Sequence, residues 1–334
     1  MGHWTRRVAG LVVAAVGMAF IVIVAVDGLF AVGPAFDRMS NGFRPIMKPV
    51  PIASLQADLN GLGAVDGEFT KTAVPELSAA LHMTPTAFGA EVQQTFPAVA
   101  AGMQQLPTIV SSFQGVVGTL KAEQGRFALA DAIPTASLPA ATIPWLMLVA
   151  GIVLVCLGLV IAFRPGRTVP AVSLALGALL VIAPLVLSLP QKASAADLMN
   201  AHLKPLYTQR MLTGAQTSLA AVGTMGNEMQ AKMLPALGRQ LDMSAAQLQG
   251  FLAQNLPATA AAMKAMPASM GRFENLVRVF QAHLADYNAI KSVAFVPIVW
   301  TMILGGIAIV LGGLAALLMP SRRPASTPAA RMNA

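Results

Sequence analysis

Cysteine is almost absent from the chain: Cys156 is the single one among 334 residues, so no intramolecular disulfide can staple any part of it. Charge is scarce as well, at 11% of residues against 56% hydrophobic, and mean hydropathy is +0.66. Soluble domains usually hold about 25% charged residues, so that class is excluded and a multi-pass membrane protein is the natural reading. Aromatic residues make up only 6%, and they do not alternate with polar ones as strands would require. Chemistry-bearing patterns are missing too. There is no P-loop, no GxGxxG following a strand and no cluster of carboxylates placed for acid–base work. The histidines His3, His82, His202 and His283 stand at no metal-ligand spacing. The sequence therefore predicts no enzyme, no cofactor and no metal.

What the chain does have is long apolar runs. No charge falls between Arg7 and Asp27, Asp131 and Arg164, Arg167 and Lys192, or Lys291 and Arg322. Spans are expected over Val8 to Val32, running on past Asp27, and over Pro144 to Phe163, Val169 to Leu189 and Val296 to Met319. Each reaches the ~20 residues that a bilayer core demands. The middle pair forms a hairpin over 143–190, joined by the short turn Arg164-Pro165-Gly166-Arg167. The first run is read as a retained anchor, because it exceeds a signal-peptide core and Phe30-Ala31-Val32-Gly33 is a poor cleavage site.

The net charge of +8 sits in Arg6, Arg7, Arg164, Arg167, Arg322, Arg323 and Arg331, all in short segments beside apolar runs. Such charge orients a membrane protein and is no nucleic-acid patch. It places the N-terminus, the turn and the tail (320–334) in the cytoplasm. Segments 33–142 and 191–294 then form two helical extracytoplasmic domains, with the outer spans at 1–32 and 295–319. Trp145 and Trp300 would lie at the outer interface. An Ala-rich, Lys-poor makeup suits a bacterial plasma membrane.

The two halves read as copies. A shift of 160 carries Arg7 to Arg167, Gly17 to Gly177, Asp37 to Asp197, Glu68 to Glu228, Pro97 to Pro257 and Phe113 to Phe273. After a contraction of five positions, Gly151, Gly158, Pro165 and Arg167 fall on Gly306, Gly313, Pro320 and Arg322. Two spans per copy keep both copies in one orientation, related by a pseudo-twofold along the membrane normal. The expected fold is thus an all-α membrane protein of four transmembrane helices in two tandem two-span units, each with a helical extracytoplasmic domain. Local signals add helix starts at Thr84-Pro85 and at Ser244 with Gln247, the latter a capping box. The stretch after Pro267 offers few breakers, so the last outside helix is expected to run into the fourth span.

Gly10 and Gly17, Gly151 and Gly158, and Gly306 and Gly313 are each seven apart, hence on one face of their helices, where they suit close packing within the bundle. Asp27 is the only acidic residue in an expected span, but its copy position is Leu187, which argues against a proton relay. The methionines at 225, 229 and 233 match Val65, Phe69 and Ala73 in the first copy, so apolarity is kept and sulfur is not, which disfavours a soft-metal site. Met103, Phe113, Met263, Phe273 and Met229 are the candidates for an apolar groove. The function expected is a non-catalytic membrane protein whose outside domains bind a lipid or a hydrophobic partner, as an accessory subunit of an envelope complex. Its partners would be membrane lipids and other envelope proteins, or further copies of itself. A passive channel or carrier along the pseudo-axis is the alternative, as is a pure scaffold.

Overall fold

The computed structural model describes residues 2–135, 138–164 and 168–318, and these are all-helical, without a β-strand. Pro165, Gly166 and Arg167 of the turn, and Met319, Pro320, Arg322, Arg323 and Arg331 at the tail, lie outside the described residues.

The first helix, α1 (Gly2–Val26), does not run on to Val32. It breaks at Asp27 and Gly28, where Gly28 takes the left-handed φ of 59°, and the chain restarts as α2 (Leu29–Phe43). Hydropathy continues across this break because a change in one φ alters no side-chain polarity. Next comes α3 (Pro49–Glu68), followed by a π-helical turn, Phe69–Ala73, and α4 (Val74–Ala80). Pro75 explains the wider turn: a proline ring clashes with the carbonyl four residues back, and the extra residue gives it room. Thr84 caps α5 (Pro85–Thr95), its hydroxyl accepting from the Ala87 N–H at 3.2 Å. The long α6 (Pro97–Asp131) carries Pro107 inside it, and α7 (Thr142–Phe163) ends the first half.

The second half follows a similar order, with one short helix more. Helix α8 (Thr168–Val186) stops short of Leu189, at Ser188 with φ 53°, and α9 (Leu189–Leu203) follows. Helix α10 (Gln209–Glu228), the π turn Met229–Met233 and α11 (Leu234–Gln240) lead to α12 (Ala245–Asn255), which opens with the Ser244–Gln247 capping box. The helix expected to run from Pro267 into the fourth span is three helices, α13 (Pro257–Ala282), α14 (Leu284–Ile290) and α15 (Phe295–Leu318). The Asp197 carboxylate accepts the N–H groups of Phe295 and Val296 at 2.8 and 3.0 Å, which fixes α15 as a fresh start. Its counterpart Asp37 accepts those of Ala140 and Ala141, also at 2.8 and 3.0 Å, just before α7.

The chain divides into two compact units. One comprises Met1–Asp37, Ala128–Leu198 and Ala289–Ala334, and the other Arg38–Phe127 and Met199–Asn288. Residues 38–127 and 199–288 share one unit, in which helices of one half pack on helices of the other, as α13 does on α3.

The first unit holds four helices long and apolar enough to cross a membrane, Arg6–Val26, Thr142–Phe163, Thr168–Val186 and Phe295–Leu318. Their backbones touch. A Cβ placed on Gly10 would lie 2.5 Å from the Gly158 carbonyl oxygen, and one on Gly17 2.5 Å from that of Gly151, so α1 and α7 meet with no side chain between them. Gly177 and Gly306 face each other in the same way, an added Cβ lying 2.9 and 2.8 Å from the opposite carbonyl oxygen, and a Cβ on Gly313 would lie 3.1 Å from the Pro170 oxygen, so α8 and α15 also meet at glycines. Helix α15 also reaches α1 at Gly305, where an added Cβ would lie 2.7 Å from Val16. Ala9, Ile161 and Ala316, with Val169 against them, bring all four helices together at one end. At that end Arg6 donates to the carbonyls of Ile161 and Arg164 at 3.1 and 3.0 Å.

In the second unit the carboxylates are exchanged between halves. Glu68 accepts the Ala258 and Thr259 N–H groups at 3.0 and 2.7 Å, and Glu228 those of Ala98 and Val99 at 2.7 and 3.0 Å. Each glutamate caps the helix that starts at the other half's proline, Pro257 or Pro97. Phe113 meets Phe273, its partner under the shift of 160, edge to face at 5.1 Å.

Glycine contacts of this kind leave no room for a side chain. Gly158→Leu should lower the stability of the purified protein by about 3 kcal/mol, the upper range for overpacking. Gly61→Ala, where a Cβ meets nothing within 4 Å, should raise it by about 1 kcal/mol by helix propensity. Thermal melts of the two variants in one detergent check both signs.

Candidate functional site

An apolar cavity of about 350 Å3 lies in the unit that contains the four long helices. Its walls come from Phe20 of α1, Phe36 of α2, the 143–150 end of α7, Leu176 to Pro184 of α8, Leu189 and Ala193 of α9, and the start of α15. Among the described residues, no side chain with a charge, hydroxyl or amide lines it. The cavity is a product of the hairpin's geometry. Helices α7 and α8 follow one another in the chain, yet α7 packs chiefly on α1 and α8 on α15. At the turn end Ile161 and Val169 share one cluster, whereas at the far end Ala150 and Leu180 are on walls of the same hollow. Leu146 and Leu179 line it while remaining 62% and 58% exposed, so the hollow opens between α7 and α8.

The residues singled out as a groove stand elsewhere. Met103, Phe113, Phe273 and Met229 are buried and Met263 is half-buried, all in the second unit, where they fill the interior around the Phe113–Phe273 contact. Met225 and Met233 are buried in the same way. Apolar residues at helical spacing on two facing segments find each other before they find a ligand. The glycines Gly10, Gly17, Gly151, Gly158, Gly306 and Gly313 lie at the helix contacts of the first unit. Asp27 is exposed, at the break between α1 and α2. The cavity-lining Phe20, Leu176, Leu180, Phe295 and Ile298 escaped the sequence reading. One signal marks them: where α15 has Gly305 and Gly312, the shift of 155 gives α7 Ala150 and Leu157.

Polar side chains in the second unit pair with one another. Arg272 holds Asp58 through two bonds of 2.7 Å, Arg38 and His283 both reach Asp286, and buried Glu123 pairs with His202 and Arg126. Among the described residues no three His, Cys, Asp or Glu side chains are grouped to hold a metal ion. Tyr207 and Tyr287 stack at 4.2 Å beside Phe43 and Phe280, and burial pushes the Tyr207 hydroxyl well above its usual pKa, with Tyr287 and Asp286 adding to the effect. The carboxylates go the other way. Partial burial raises Glu68, but bonds from Thr259 and Ala258 outweigh it and leave its pKa lowered. For Glu228, burial is likewise outweighed by the Val99 N–H, Lys232 and the Ala98 N–H, and for Asp286 by Arg38 and His283.

No protein-family model matches this chain, and no curated protein matches it. The site therefore rests on its own chemistry. That chemistry is one of shape and apolarity.

A carboxyl whose folded pKa is below its unfolded value gives stability that is complete above the unfolded value and is lost as pH falls through the folded one. Glu68, Glu228 and Asp286 all have that sign. Stability should therefore be flat from about pH 7 to pH 5 and drop below about pH 4, where free carboxyls titrate. In the Glu68→Gln, Glu228→Gln double variant the protein should melt lower at pH 7 and show a shallower acid limb, as read from melting temperature against pH. An unchanged limb would assign acid sensitivity to other groups.

Proposed function

We propose that the chain is a non-catalytic integral membrane protein that accommodates the hydrocarbon tail of a lipid in the cavity between its four spans. The cavity's wholly apolar lining carries this reading. At about 350 Å3 it lies at the lower end of small-molecule pockets and is more than twice the ~150 Å3 apolar void that takes up benzene. Within a bilayer the hydrophobic effect does not drive a tail inward, since the surrounding chains are equally apolar. What favours occupation is dispersion: an empty hollow forfeits contacts along its whole lining, and a tail restores them. An ion or polar solute finds nothing to replace its hydration there, which sets the channel reading aside.

Two further parts belong to the same reading. The protein is a tandem duplication about a pseudo-twofold axis; the recurrence of Asp37 with Asp197, of Glu68 with Glu228 and of the two π turns at one shift supports this, as does the contact of Phe113 with Phe273. Its orientation puts the arginine-bearing ends in the cytoplasm and the unit built from Arg38–Phe127 and Met199–Asn288 outside; the meeting of Arg6 with the end of α7 is in keeping with it. The role is that of a lipid-holding accessory component of the cell envelope.

Native mass spectrometry of the full chain released from a mild detergent tests the reading. The wild type should carry a retained lipid, and Ala183→Phe, which fills the cavity wall, should lose it while melting at an unchanged temperature. A wild type that retains no lipid beyond a control membrane protein would contradict it.

A further inference from the structure

Under the shifts that relate the halves, α1 corresponds to α8 and α7 to α15, so the contact of α1 with α15 has a counterpart in α7 with α8. The two differ. On the α1–α15 side, Gly305 lets the backbone of α15 come so near that an added Cβ would lie 2.7 Å from Val16 and 3.6 Å from the Phe20 ring, and Gly312 comes near Ala9 and Val13. The residues that correspond to Gly305, Val16 and Phe20 are Ala150, Leu176 and Leu180, and all three line the cavity instead of meeting. Gly312 has Leu157 in its place. Larger residues at both glycine positions hold α7 away from α8, and helix pairs in lipid rely on small residues for close approach.

Toward the arginine end Ala9, Ile161, Ala316 and Val169 pack together from all four helices. At the opposite end the wall contains Ile133 and Pro134, and this segment is pinned to α9 by Lys192, whose ammonium donates to the Ala132 and Pro134 carbonyls at 2.8 and 3.1 Å. Along the flank between α7 and α8 the lining residues Leu146 and Leu179 are exposed, on faces that carry apolar side chains such as Val149, Ile152 and Ile182.

We propose that the gap between α7 and α8 is a lateral doorway through which one acyl chain of a bilayer phospholipid passes into the cavity, drawn from the membrane and not from water. This rests on the apolar-site reading above and adds the source and route of the occupant. A ligand arriving from water would carry a polar end needing a partner within the site, and the described lining residues are all apolar. A phospholipid leaves its headgroup outside and inserts only its tail.

The test is photo-crosslinking of the full chain in proteoliposomes containing a phospholipid with a diazirine at the end of one acyl chain, with adducts mapped by mass spectrometry. Adducts are expected on the inward-facing Met147, Ala150 and Leu180 as well as on the outward-facing Ile152 and Ile182. In Ala150→Trp the inner adducts on Met147 and Leu180 should be lost while the outer ones persist, and no adduct should form at Val16 in either protein. A parallel titration of the detergent-purified protein with 1-aminoanthracene separates the two claims. If the dye binds in an Ala150-dependent way and the phospholipid labels only the outer residues, the doorway is refuted and the apolar site stands. If neither probe reaches the interior, both fall.

Discussion

Helices surrounded by hydrocarbon gain nothing from hiding apolar surface, so the distance to which two backbones can approach decides where a bundle is sealed. In this protein that distance is set by glycine. Gly10, Gly17, Gly151 and Gly158 weld α1 to α7, and Gly177, Gly306 and Gly313 weld α8 to α15. Gly305 and Gly312 then draw the two welded pairs together along α1 and α15. The remaining flank has Ala150 and Leu157 at the corresponding positions, and there the cavity opens. Ala150 stands on the wall of that hollow, in a bundle whose other helix pairs meet at glycines.

A second device recurs through the molecule: a carboxylate that accepts two N–H groups at the start of a helix from another part of the chain. Asp37 and Asp197 do this for the starts of α7 and α15, and Glu68 and Glu228 for α13 and α6. A helix N-terminus leaves N–H groups unpaired and carries partial positive charge, so an anionic acceptor is favoured there twice over. In a chain with 14 acidic residues in all, four spent on helix starts leave the fold strongly dependent on them. Because the glutamates reach across halves, neither half of the second unit is complete in its hydrogen bonding alone.

The four long apolar helices were legible because charge-free runs of that length have few other meanings. Helix boundaries were less so. Gly28 and Ser188 break the helix within apolar sequence by a left-handed φ, and the start of α15 is fixed by Asp197, a residue far away in sequence. The joining of 38–127 with 199–288 in one unit leaves no trace in periodicity, which reports which face of a helix is apolar and not what covers it. Met103, Phe113, Phe273 and Met229 are buried in that unit. The cavity was encoded only in a comparison between halves, glycine against Ala150 and Leu157, and a seam of small residues draws attention to where helices touch rather than to where they fail to.

The most direct measurement of this balance is a cryo-electron-microscopy map of the full chain in lipid nanodiscs, at a resolution that separates the four spans. Elongated tail-shaped density between α7 and α8 beside Ala150 and Leu180, with α1 and α15 in backbone contact at Gly305, is the expected result. Closure of α7 onto α8 across Ala150, or equal spacing on both flanks, would contradict the account.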